Sequence, residues 1–117
     1  MKTRLLTVCS FALLALTATL ATAGGPNGRT VDTVRAYSSD SYTLTFRGDE
    51  RATVIVSGDG DTDLDLFVYD ANGNLVASDD DFTDDCVASW VPRWTGQFRI
   101  VIRNRGEVFN TYRMLTN

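Results

Sequence analysis

Residues 63–78 read DLDLFVYDANGNLVAS. Apolar and polar residues alternate up to Tyr69, which puts Leu64, Leu66 and Val68 on one side of a strand and Asp63 and Asp65 on the other. Asn72-Gly73 is the dipeptide that most strongly favours a tight hairpin turn, because both residues tolerate positive φ. LVAS then returns as a second strand. A two-residue loop at 72–73 predicts that Tyr69 faces Val76, Val68 faces Ala77, Leu66 faces Asp79 and Asp65 faces Asp80. One face of this hairpin is apolar, and its open end is acidic.

The alternation extends in both directions. SYTLTF (41–46) puts Tyr42, Leu44 and Phe46 on one face, and RATVIVS (51–57) is β-branched. CVASWV (86–91) is a strand stopped by Pro92. GQFRIVIRN (96–104) sets Phe98, Ile100 and Ile102 opposite Arg99 and Arg103. VFNTYRMLTN (108–117) closes the chain, with Phe109 and Tyr112 expected to be partly buried. RGDE (47–50), DDDFTDD (79–85) and NRGE (104–107) supply turns and loops. Seven to eight short strands, turn signals roughly every 8–12 residues and no helical period past residue 23 predict an all-β fold, an antiparallel β-sandwich spanning 37–117.

The first 23 residues, MKTRLLTVCSFALLALTATLATA, have a basic start, an apolar stretch and a small-x-small end at Ala21–Ala23. They read as a secretory signal peptide removed after Ala23, which makes the protein secreted or periplasmic. No membrane span is expected after signal removal, since the apolar stretch is short and interrupted. Residues 24–36, GGPNGRTVDTVRA, read as a flexible N-terminal lead-in. The mature chain of 94 residues keeps nine Arg against 15 Asp and Glu, a net charge of −6, with no Lys and no His. That balance excludes nucleic acid as a partner, because a basic face supplies the affinity there. One cysteine remains, Cys86, so no internal disulfide can form, and a small apolar core position suits it. A domain this small buries only about 60–65% of its unfolded surface, so its stability is marginal without a staple such as a metal.

The register above brings two acidic runs together: Asp61, Asp63 and Asp65 on the outgoing strand, and Asp79, Asp80 and Asp81 on the return. Like charges directly opposite on a sheet are destabilising. A hard, oxygen-seeking cation such as calcium would neutralise them, and a splayed, solvated acidic loop is the other reading. The lack of His and the single Cys exclude zinc and copper. GDGDTDLDLFVYD does not fit the helix-flanked calcium loop, because Leu64 stands where Gly is needed and Asp70 where Glu is needed.

Catalysis has little to work with. The missing His removes the common triads and most general bases, and the missing Lys removes Schiff-base chemistry. The protein is therefore read as a non-enzyme. RGD at 47–49 is ordinary turn chemistry. Trp90 and Trp94 bracket VPR, one suited to the core and the other to an exposed corner, with sugar stacking as the functional alternative. Arg99, Arg103, Arg105 and Arg113 suit cross-strand pairing with acids better than a basic stripe.

GDERATVIVSGDGDTDLDLFVYDANGNLVASDDD, WVPRWTGQFRIVIRN and the final YRMLTN together resemble the bacterial pre-peptidase C-terminal domain across residues 37–117. The most specific parts are Asp63-x-Asp65-Leu66, the NGN turn and TGQFRIVI from Thr95. The resemblance implies a jelly-roll-like β-sandwich. It favours calcium at the aspartate cluster, as in related collagen-binding modules. It also implies an exported binding module for an extracellular polymer or protein, or an accessory subunit that assists secretion or assembly of a separately encoded partner. No peptidase segment precedes the domain in this sequence, and the cysteine pair of some members is missing.

Overall fold

The computed structural model describes residues 28–117; the signal peptide expected at 1–23 lies outside them. The strands are β1 (Gly28–Val34), β2 (Ser39–Phe46), β3 (Ala52–Ser57), β4 (Leu64–Tyr69), β5 (Leu75–Asp79), β6 (Asp85–Trp90), β7 (Gly96–Asn104) and β8 (Asn110–Thr116). They form two four-stranded antiparallel sheets, ordered β1-β8-β3-β6 and β2-β7-β4-β5. This is the jelly-roll order.

Only β4 and β5 are both consecutive in the chain and paired to each other; every other connection crosses between the sheets. The pairs β4–β5, β3–β6, β2–β7 and β1–β8 nest inside one another. Leu66↔Asp79, Val54↔Ala88, Tyr42↔Ile100 and Thr30↔Met114 all have their midpoints within residues 71–73. The domain is one long hairpin, centred on the Asn72-Gly73 turn and rolled into a sandwich.

That turn is longer than a two-residue loop. The Gly73 amide donates to the Asp70 carbonyl and the Asp70 amide to the Asn74 carbonyl, leaving 71–73 as the loop. Gly73 takes φ +85°, a left-handed position that favours glycine. The Asp70 carboxylate accepts the backbone amides of Asn72 and Asn74 and the Asn74 side-chain amide, and these bonds hold it below the usual carboxylate range. Tyr69 consequently faces Leu75 rather than Val76. An irregularity there leaves Val76 unpaired and restores the expected partners Val68↔Ala77 and Leu66↔Asp79.

Strand β1 corrects the expectation of a flexible lead-in over 24–36. Residues 28–34 pair along the whole of β8, from Gly28↔Thr116 to Val34↔Asn110. Val34 is the only residue of β1 that is buried. A strand held by its ladder rather than by an apolar face leaves no alternation in the sequence.

The core takes Val34, Val54, Val56, Cys86, Ala88, Trp90, Tyr112 and Met114 from the first sheet. It takes Phe46, Leu64, Leu66, Val68, Phe98, Ile100 and Ile102 from the second. Phe46, Trp90 and Phe98 meet with ring centroids 4.8–5.9 Å apart in edge-on and tilted pairs. Cys86 is buried, and its Sγ donates to the Leu64 carbonyl. Burial first, and then the charges of Asp79, Asp81, Asp65 and Asp63, push its thiol up to about 12. Phe109 departs from expectation and is exposed, whereas Tyr112 is fully buried.

Two polar links close the sides of the sandwich. On one side the Tyr42 and Tyr112 hydroxyls meet, with the Asp40 carboxylate 2.7 Å from Tyr112 and that of Asp32 of β1 3.3 Å from Tyr42. On the other, Asp79 of β5 accepts the Val87 amide of β6 at 2.9 Å, so its carboxylate covers the edge of the facing sheet.

Candidate functional site

The β3–β4, β5–β6 and β7–β8 loops gather at one end of the sandwich. Gly58 donates its amide to the Asp84 carbonyl, Leu64 to the Thr83 carbonyl and Arg105 to the Asp63 carbonyl. The Asp84 side chain lies so close to Gly58 that a Cβ there would overlap its carboxylate. Nine aspartates between 59 and 85 enter this end, and most of them fall into two groups.

The first group ties loops to β8. Asp59 accepts the amides of Asp61 and Thr111, and Asp84 accepts the Gly60 amide and the Asn110 side chain. Asn110 is fully buried and joins both acids to Thr62. These carboxylates act as backbone caps.

The second group lies around the start of β4. Asp65 is 1% exposed although it sits on the face of β4 opposite Leu64 and Leu66. Its Oδ2 accepts Arg105 Nη1 at 3.0 Å in a salt bridge, while its Oδ1 is buried without a partner. Asp63 also has a buried, unpartnered Oδ1. Desolvation first, and then the Asp65 charge, raise the Asp63 carboxyl above the usual range. Arg105 offsets this in part, and Asp81 and Asp80 add to it. The same acids hold the Arg105 guanidinium above its ordinary value, through the Asp65 hydrogen bond and then its charge.

Of the six residues expected to hold a metal, the fold brings Asp65, Asp80 and Asp81 within electrostatic reach of Asp63. Asp79 has both oxygens on backbone amides, those of Asp81 and Val87, and Asp81 accepts from the Thr83 amide and hydroxyl. Asp61 is exposed at the loop surface. Among the described residues no group of three or more acidic or cysteine side chains is arranged to hold a metal ion. The donor chemistry still suits a hard cation: every side-chain donor is a carboxylate oxygen, and two of those oxygens are buried and unsatisfied.

The sequence singled out Arg105 for pairing with an acid, and it does pair, but the sequence did not name its partner. Arg105 lies in a turn, NRGE, and that partner is 40 residues away, so no local pattern marks the pair. The other arginines form no single stripe. Arg99 stacks over Tyr69 at 4.8 Å, Arg103 shares its strand β7, and Arg113 lies on β8 in the other sheet. Among the described residues no helix is long and apolar enough to cross a membrane. In comparison with known proteins, the chain matches no family model and no curated sequence.

Proposed function

We propose that this chain is an exported, non-catalytic β-sandwich module that binds an extracellular polymer or protein and is stabilised by calcium at its acidic end. The observation that carries the metal reading is the pair of buried, unpartnered oxygens on Asp63 and Asp65. Asp63 and Asp65 would hold the ion, with Asp80 and Asp81 beside them; the ion supplies charge neutralisation and no chemistry. The non-catalytic reading rests on the absence of His from the chain and of Lys from its mature part. The likeness to pre-peptidase C-terminal domains, carried by Asp63-x-Asp65-Leu66 and the NGN turn, points the same way.

Melting the mature protein in calcium and then in excess chelator tests this. At about a hundredfold excess of ion over Kd, linkage stabilises by about 2.7 kcal/mol, or roughly 10 °C or more in Tm for a domain of this size. An unchanged Tm removes the metal.

A second reading, an accessory subunit for a separately encoded partner, is favoured by Phe82 and Phe109, which stand 94% and 57% exposed at the acidic end. Pull-down from the exported fraction separates the two. One stoichiometric protein partner favours the subunit, and retention on an extracellular matrix favours the binding module.

A further inference from the structure

At the end of the sandwich opposite the acidic cluster, the 70–76 turn and the 90–98 connection enclose a groove of about 360 Å³. That volume lies within the range of small-ligand clefts, roughly 300–1,000 Å³. We propose that this groove binds the sugar rings of a neutral polysaccharide, with Trp94 as the stacking platform. The proposal rests on the reading of the chain as a binding module and names its ligand class.

Trp90 and Phe98 line the groove as part of the core, each 8% exposed, while Trp94 stands 70% exposed beside them. An indole left in water at the mouth of a groove is costly apolar surface unless something covers it. Three planar polar side chains line the same groove, those of Asn72, Arg93 and Gln97, and none makes a hydrogen bond to the described residues. Asp70 differs, because its carboxylate is engaged in the 71–73 turn. The Trp90 Nε1–H is buried without an acceptor.

A pyranose has an apolar C–H face and a rim of hydroxyls. The exposed indole matches the first, and unengaged amides and a guanidinium match the second. One guanidinium and one carboxylate line the groove, so its charges balance and a neutral sugar suits it better than a uronate or a sulfated one.

The mature protein is run in native gels cast with soluble β-glucan, xylan or starch, and is mixed with insoluble cellulose, chitin and gelatin. Retardation or retention on at least one polysaccharide is expected. Trp94→Ala should weaken it about tenfold and Gln97→Ala a few-fold, with both variants melting as the parent does. Binding that survives Trp94→Ala overturns the assignment of the groove. Retention on gelatin alone overturns the sugar but leaves the binding module standing. Retention on nothing overturns both.

Discussion

Asp65 is the residue on which the acidic end turns. A carboxylate 1% exposed on the outer face of a strand needs a partner, and Arg105 reaches over from the β7–β8 turn to supply it. The cation that the acidic pairing requires is therefore, for half of Asp65, a side chain of the protein itself. Removing it by Arg105→Ala leaves a buried, uncompensated charge. Loss of a fully buried pair costs about 3–5 kcal/mol. Arg105 is more than half exposed and solvent screens it, so a smaller loss is expected here, read by urea denaturation. Adding Asp65→Asn should recover most of that loss, because the amide needs no counter-charge. Arg105→Ala should also enlarge the rise in Tm given by calcium, since the ion then meets the Asp65 charge alone. A double variant no more stable than Arg105→Ala would show that the guanidinium acts through packing instead.

Among the elements, the β4–β5 hairpin stands apart. It is the one pairing between neighbours in the chain, and all the others close outside it. Long-range strand pairing is slow because loop-closure entropy opposes it, and each nested pair shortens the loop that the next must close. Gly73→Ala forces a Cβ into a left-handed conformation where nothing else touches it, so its cost is purely conformational, about 1 kcal/mol. If the hairpin forms first, that cost falls on the folding rate and leaves the unfolding rate nearly unchanged, a φ-value near 1 in chevron measurements. A change confined to the unfolding arm would place the nucleus elsewhere, with the Phe46–Trp90–Phe98 cluster the next candidate. The Asn-Gly pattern was legible as a turn. Its three-residue loop and the compensating irregularity at Val76 were not, because the Asp70 side-chain bonds that favour the longer turn compete with the shorter one by small margins.

At the scale of the molecule, charge couples the acidic end to solution conditions. Asp63 and Asp40 both have carboxyls raised above the ordinary value near 3.8, burial being the first cause in each. A raised carboxyl means that the folded state binds its proton more tightly than the unfolded chain does. The cost of ionising it is present in full above the raised value and vanishes below the unfolded one. Without calcium, Tm should therefore climb as pH falls from neutral towards about 4. Asp70 acts oppositely: its lowered carboxyl supports the fold above about 4 and withdraws that support as pH falls further. In calcium the first trend should shrink or reverse, because protons compete with the ion for the same oxygens. Scanning calorimetry across pH with and without calcium checks both, and parallel curves would dissociate the ion from Asp63.

The sequence by itself determined the strands from β2 to β8, which of their faces are apolar and where the chain turns, because a period of two and the preferences of Gly, Asn and Pro are local properties. It also determined that the acidic runs meet across Leu66 and Asp79. Only the tertiary structure decided what those acids do. Arg105 joins Asp65 from 40 residues away, Asp79 caps the edge of the facing sheet, and Asp59 and Asp84 bind the loops to β8. The tertiary structure also made a strand of residues 28–34 and set Trp94 beside Asn72 across a groove. Each of these depends on which distant segments the rolled hairpin brings together, and no window of neighbouring residues carries that information.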